Sequence, residues 1–243
     1  MRAMIFAAGL GTRLMPLTKN RPKALVTVNG TPLLEIAIEN LKAQGVTDII
    51  INVHHFADQI IAFVKEKKFF DINIEFSHEK KKLLNTGGGL KKALPFFDVG
   101  KPFIIWNADI ISTVDLGKML EKHQKENAIA TLLTRHRNTS RYLIFDEHNV
   151  LTGWANMIEG KIKLSKLEKA KERRLLAFGG IHIVSPEIVK YMPDEKVFSI
   201  IDVYLEAAKE EKLIGFLDNE IEWIDVGRVE NVEPAGSIVR KFF

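Results

Sequence analysis

No cysteine occurs among the 243 residues, which excludes disulfides, thiolate nucleophiles and thiolate metal sites and fits a reducing compartment. No apolar run approaches the roughly 18 residues that a membrane-spanning helix requires. The start carries Arg2 and a short apolar stretch, but Gly9, Gly11, Thr12 and Arg13 arrive too soon for a secretory signal, so the expected location is cytoplasmic. Neither sign of charge dominates, since the formal net charge is only +4. The basic clusters Lys65–Lys68, Lys80–Lys82 and Lys169–Arg174 form no nucleic-acid motif and read as solvated faces. Neither nucleic acid nor membrane is an expected partner, and a second copy of the chain is left open as one. A flexible linker and an internal repeat are also missing. A hydrophobic share of 46% is therefore available to one core. The expectation is one domain over residues 1–243, with residues 135–180 as a substrate-facing insertion.

What is present is a repeated switch between short apolar runs and helix-length amphipathic segments. Strands are expected at 3–8, 48–53, 72–77, 103–109, 129–134, 176–184 and 221–225. Helices are expected at 32–45, 56–70, 115–126 and 200–212, with a short one from Pro186 to Tyr191. This alternation predicts an α/β fold, with a largely parallel sheet covered on both faces. In such folds ligands bind at the edge where the strands end. Residues 142–156 read as a hairpin, and the basic stretch 161–174 reads either as a lid-like loop or as strands with a turn.

The first strand runs into "AAGLGTRLMPLTKNRPKAL", residues 7–25. Gly9 and Gly11 let the backbone turn tightly with its amides toward phosphate oxygens, and Thr12 adds a hydroxyl. Arg13 offers a planar fork for two phosphate oxygens, while Lys23 offers a point charge whose approach is stiffened by Pro22. Lys19 and Arg21 read equally as ligand contacts or as solvated loop. The stretch is neither a P-loop nor a dinucleotide fingerprint, because Leu14 stands where GxGxxG needs its last glycine.

Two aspartates, Asp109 and Asp225, end apolar runs far apart in the chain. They suit magnesium, which needs few protein carboxylates when it is bound to phosphates, or they simply cap strand ends. "LLNTGGGLKKAL", residues 83–94, reads as a glycine loop, with a helix beginning after it, that is able to approach a nucleobase and ribose, or as a mobile surface turn. Glu79 and Asn85 either hydrogen-bond that ligand or face water. His54 and His55 are compatible with a sugar or phosphate contact and with a structural hydrogen bond. Gly179 and Gly180 leave room for a sugar or for tight strand packing, and His182 faces either a pocket or solvent.

Four stretches carry a family resemblance: "AAGLGTRLMPLTKNRPKALVTVNGTPLLE" at 7–35, "NTGGG" at 85–89, "NAD" at 107–109 and "WIDVG" at 223–227. In this order the chain resembles the sugar-1-phosphate nucleotidylyltransferases. Among them it looks nearest to compact bacterial N-acetylmuramate 1-phosphate uridylyltransferases and to mannose-1-phosphate guanylyltransferases. The resemblance implies a Rossmann-like nucleotide-diphospho-sugar transferase fold with a central mixed, mainly parallel sheet. It implies a nucleoside triphosphate and a sugar 1-phosphate as partners, and Mg2+ as cofactor. Arg13 and Lys23 become the catalytic cations, and Asp109 and Asp225 the metal ligands. Ala8, Gly9, Gly11, Thr12, Glu79, Asn85, Gly87 and Gly88 fall to the nucleotide, and Asn107, Gly179 and Gly180 to the sugar, with residues 135–180 on the sugar side. No left-handed β-helix repeat is found in the sequence, so a single transfer activity is expected. Asn85 stands where muramate-type relatives commonly have glutamate, and Lys80–Lys82 are unusually basic. The expected reaction joins UTP to N-acetylmuramate 1-phosphate. The alternatives are mannose-1-phosphate guanylyl transfer and a catalytically weak nucleotide-sugar-binding regulatory protein.

Overall fold

Four parallel strands form the centre of the molecule, in the spatial order Asn73–His78, Asp48–Val53, Arg2–Phe6, Phe103–Asn107. The computed structural model describes residues 1–165 and 172–242. Arg174–Val184 lies antiparallel to Phe103–Asn107 and turns the sheet from parallel to mixed. Ala130–Arg135 pairs with it, and Leu213–Phe216 runs parallel to Ala130–Arg135. Three further antiparallel strands, Arg141–Phe145, Leu151–Asn156 and Lys161–Leu164, extend the other end. This is the expected α/β architecture with a central mixed sheet. Ile49, Ile51, Ile104, Trp106 and Ile181 pack on one face, and Met4, Ile105, Leu132 and Tyr204 on the other, so both faces are covered. Among the described residues no helix is long and apolar enough to cross a membrane.

The helices follow their apolar spacing. Leu33–Ala43 buries Leu33, Leu34, Ile36, Ala37, Ile38 and Leu41, and the chain leaves it through Gly45 at φ 81°. The helix expected at 56–70 ends at Glu66. Lys68–Asp71 then form a tight turn with φ between 50° and 58°, which puts Phe70 into the core. Burial of one phenyl ring thus overrides a continuous helical pattern. The helix expected at 200–212 is shorter, Ile200–Ala207. The hairpin near 142–156 turns on Asp146, whose Oδ1 accepts from the amides of His148 at 2.9 Å and Val150 at 2.8 Å. Of the stretch 161–174, Lys161–Leu164 is a strand and Arg174 opens another, while residues 166–171, and with them half of the Lys169–Arg174 cluster, lie outside the described residues.

Two histidines are buried where neither serves a ligand. His182 sits in the sheet with Nδ1 2.5 Å from the Tyr204 hydroxyl and faces neither an open pocket nor solvent. His123 lies between the Thr131 and Ser185 hydroxyls, 3.0 Å from each. Burial pushes His182 down to about 3 and His123 down to about 4 from an ordinary value of 6.5. The unfolded chain therefore binds more protons than the folded one once pH falls below 6.5. Their stabilisation is complete above that value and is lost as pH falls toward 4, by up to about 1.4 kcal/mol per pH unit for each histidine. Urea midpoints measured across this range should fall steadily. His123→Gln should flatten the slope, whereas an unchanged slope in that variant would contradict the assignment.

Candidate active site

The loop after the first strand is held open by one backbone position. Gly11 adopts φ 68°, and a Cβ there would lie 3.0 Å from Thr18 Cγ2 and 3.1 Å from Lys23 Cβ. The Thr18 hydroxyl donates to the Gly11 carbonyl at 2.8 Å, closing the loop. Buried Leu14 anchors the short 3-10 turn Thr12–Leu14, which leaves Thr12 and Arg13 exposed. Ala8 is buried and Gly9 is exposed at the loop's near end. Pro22 precedes a second 3-10 turn, Lys23–Leu25, and the Lys23 ammonium forms an ion pair with Asp109.

Asp109 follows the strand Phe103–Asn107, and Asp225 reaches it through a separate ladder. Ile110–Ser112 pairs antiparallel with Trp223–Asp225, which sets Asp225 opposite Ile110. The Val226 amide donates to the Asp109 carbonyl at 2.9 Å, and the Gly227 amide donates to Asp225 Oδ1 at 2.7 Å. Burial first, and then the Asp109 carboxylate, push the Asp225 carboxyl above its ordinary range, while Lys23 and the Gly227 amide oppose them. Gly227 keeps the space beside this pair clear. A Cβ on it would lie 2.6 Å from Asp225 Oδ1 and 3.3 Å from both Arg13 Nη2 and Lys23 Nζ. Two carboxylates and two cations, drawn from three distant segments, thus share one edge of the sheet. The donor set suits magnesium: the oxygens are hard, no histidine intervenes, and phosphate oxygens and water would complete the shell. Among the described residues no group of three or more histidine, aspartate or glutamate side chains is placed to hold a metal ion, so the protein's share of such a shell would be these two carboxylates.

The triple glycine is not an open loop. Gly87, Gly88 and Gly89 lie buried within the helix Asn85–Ala93. The amides of Gly87 and Gly88 donate to the Phe198 carbonyl at 3.0 and 3.3 Å, and side chains on them would collide with Phe198 and with the Lys196 carbonyl. Their amides are therefore spent on the segment 196–198. What stays open at the helix start is Asn85, which is exposed at φ 62°, while the half-buried Thr86 beside it accepts from the Ile200 amide at 3.0 Å. The Glu79 carboxylate is turned inward rather than toward water. The residue is 2% exposed and accepts from Asn52 Nδ2 at 2.8 Å and from the Leu84 amide at 2.7 Å. His54 is engaged structurally, with Nδ1 2.6 Å from the Glu79 carbonyl, and His55 lies exposed beside Phe56.

Asn107, Gly179 and Gly180 come together on the other side of Asp109. Gly180, at φ 74°, sits at an irregularity in the long strand, and a Cβ there would lie 2.8 Å from Asn107 Nδ2. The Trp223 indole donates to the Gly179 carbonyl at 2.7 Å. Next to them opens a cavity of about 850 Å³ lined by Arg13, Arg137, Arg141, Trp223, Asp225 and Arg228. The Arg137 guanidinium lies 4.9 Å from the centre of the Trp223 ring. Its partial desolvation lowers its pKa, and the charge of Asp225 opposes that shift. Reasoning from sequence missed Arg137, Arg141 and Arg228. The signals were a dense "RHRNTSR" at 135–141 and an arginine directly after "WIDVG".

A family model described as nucleotidyl transferase matches residues 2–240. Over 232 residues the chain is 32% identical to the N-acetylmuramate alpha-1-phosphate uridylyltransferase of Caulobacter vibrioides, covering 93% of this chain and 91% of that protein. It is 30% identical over 236 residues to the mannose-1-phosphate guanyltransferase of Yarrowia lipolytica, covering 94% of this chain but only 61% of that longer protein. The crystal structure of HddC from Yersinia pseudotuberculosis complexed with GMP-PN superposes with a TM-score of 0.76 at 24% identity, covering 100% of this chain and 99% of that one.

Proposed function

This chain belongs to the nucleotidyl transferase family, and from that premise we propose that it joins a nucleoside triphosphate to a sugar 1-phosphate, releasing pyrophosphate. The observation that carries the reading is the meeting of Arg13, Lys23, Asp109 and Asp225 at the edge where the strands end. A sugar phosphate oxygen is anionic at neutral pH and attacks the α-phosphorus without a general base, which agrees with the structural engagement of His54, His123 and His182. The demands are charge neutralisation and alignment. Arg13, exposed at the cavity mouth, faces the leaving pyrophosphate, where charge grows. Lys23 lies between the loop and Asp109 and bridges the two substrates' phosphates. Asp109 and Asp225 would hold magnesium, which when bound supplies Lewis-acid neutralisation of phosphate charge. The Ala8–Thr12 loop and Asn85–Thr86 flank the nucleotide. Asn107, Gly179 and Gly180 floor the sugar side, and Arg137 and Arg141 line its wall.

The arginines favour an acidic sugar. Lys23 is engaged by Asp109, and Arg228 lies 3.6 Å from Glu230. Arg137 and Arg141 have no ion-pair partner among the described residues. N-acetylmuramate carries a carboxylate in addition to its phosphate and suits this surplus of positive charge, so UTP with N-acetylmuramate 1-phosphate is the preferred pair. GTP with mannose 1-phosphate is the second reading, supported by the guanyltransferase relative. A nucleotide-sugar-binding regulator without turnover would not need both carboxylates and both cations. Mass analysis of products from a matrix of UTP, GTP, CTP and dTTP against acidic and neutral sugar 1-phosphates tests the choice. The expected product is the uridine diphosphate sugar of the acidic substrate. Faster turnover of a neutral sugar would overturn the preference, and no product from any pair would overturn the activity.

A further inference from the structure

Behind the proposed nucleotide site runs a buried chain of hydrogen bonds whose donors all point, from both ends, toward the Glu79 carboxylate. The Ala7 amide donates to Asn52 Oδ1 at 2.8 Å, Asn52 Nδ2 donates to Glu79 Oε1 at 2.8 Å, and the Leu84 amide donates to Glu79 Oε2 at 2.7 Å. Asn52 is 3% exposed and Glu79 is 2% exposed, and no cation pairs with Glu79 among the described residues. The orientation of Asn52 is forced: the Ala7 N–H needs an acceptor, so the amide nitrogen must turn toward Glu79. The helix Asn85–Ala93 closes over this chain at Gly89, where a Cβ would lie 2.9 Å from both Asn52 Nδ2 and Glu79 Oε1.

The two ends of this chain lead into different ligand-facing segments. Ala7 runs directly into the Ala8–Arg13 loop, and Leu84 into Asn85 and Thr86. We propose that Asn52 and Glu79 are positioning residues that fix the spacing between these segments and thereby set the affinity of the nucleotide site. The inference rests on reading this edge as the nucleotide site. Glu79 then acts on the nucleotide through the backbone it holds, and a buried, hydrogen-bonded pair suits that task because any unpaired member is costly.

The polarity gives a stringent test. Glu79→Gln presents an NH2 group to Asn52 or to the Leu84 amide, both donors, so one link breaks whichever way the amide turns. Asn52→Asp sets a second carboxylate against Glu79. The double variant N52D/E79Q restores all three links with only the central bond reversed. Its carboxylate at position 52 accepts from the Ala7 amide and from the new side-chain amide at position 79, whose oxygen accepts from the Leu84 amide. Calorimetric Kd values for UTP and GTP with magnesium should weaken roughly tenfold in each single variant and return to within about threefold of the parent in the double. The KM for the sugar phosphate should stay within about threefold throughout, which a general loss of structure would not allow. Unchanged Kd in both single variants overturns the proposal, as does a folded double variant no tighter than the weaker single. If a single variant unfolds, a folded double variant within about threefold of the parent Kd supports the proposal, and one that is weaker than that overturns it. A parent protein that binds neither UTP nor GTP removes the nucleotide-site reading itself, and the brace with it. Normal nucleotide affinity in both single variants removes only the brace.

Discussion

Asp225→Asn is expected to lower turnover about a thousandfold while leaving the fold intact. The substitution keeps an oxygen to accept from the Gly227 amide, which now donates at 2.7 Å, and it leaves the Lys23–Asp109 ion pair in place. It removes one of the two anionic oxygen sets proposed to hold magnesium against the phosphates. Loss of such charge stabilisation costs several kcal/mol, and about 4 kcal/mol corresponds to three orders of magnitude in rate. Stability should move the other way. Asp225 is a partly buried carboxylate set against Asp109, so neutralising it relieves desolvation and repulsion. A melting temperature equal to or above the parent's, together with a raised magnesium requirement, is the expected pair of results. Near-parent turnover at ordinary magnesium concentrations would take Asp225 out of the site. A large drop in melting temperature would mean that the carboxylate serves the fold.

Arg13→Ala is expected to reduce kcat about a hundredfold with little effect on stability. Arg13 is exposed and anchors nothing, since the neighbouring Leu14 holds the turn in the core. Its Nη2 would lie 3.3 Å from a Cβ on Gly227, which places the guanidinium beside the carboxylate pair. Removing one well-aimed donor to developing charge costs about 3 kcal/mol. Arg13→Lys should recover less than a tenth of the lost activity, because an ammonium cannot reproduce the two-pronged contact. The measurement is single-turnover kinetics at saturating substrates, alongside thermal unfolding. If Arg13→Ala raises only KM and leaves kcat alone, Arg13 binds the triphosphate equally in ground and transition states, and its assignment to the leaving group fails.

The sequence showed the three inner parallel strands clearly because they are buried on both faces and therefore read as continuous apolar runs, as in "DIIINV" at 48–53. Asp109 was legible for a related reason, as the first charge after "FIIWNA", whereas Asp225 follows only the short "WI" after Glu222 and was legible chiefly through the motif "WIDVG". Their meeting was not legible in composition, because it depends on a three-residue ladder between segments more than a hundred positions apart. Glu79 was misplaced since its neighbours are lysines and suggest exposure, whereas the side chain turns inward to two donors. The triple glycine looked like a loop because glycine weakens helices, but close packing against Phe198 and Lys196 outweighs that propensity. The arginine cavity escaped notice because Arg137 and Arg141 lie near 140 in the chain, while Arg228 follows the far end of the site. Spatial clustering of single charges leaves no periodic trace.

The most direct test of nucleotidyl transfer is the stoichiometry of pyrophosphate release by the purified full chain with magnesium. No release is expected from UTP alone or from N-acetylmuramate 1-phosphate alone, and one pyrophosphate is expected per nucleotide sugar formed when both are present. Pyrophosphate or phosphate released from the nucleotide without any sugar phosphate, or no release from any nucleotide and sugar 1-phosphate pair by folded protein, would contradict nucleotidyl transfer.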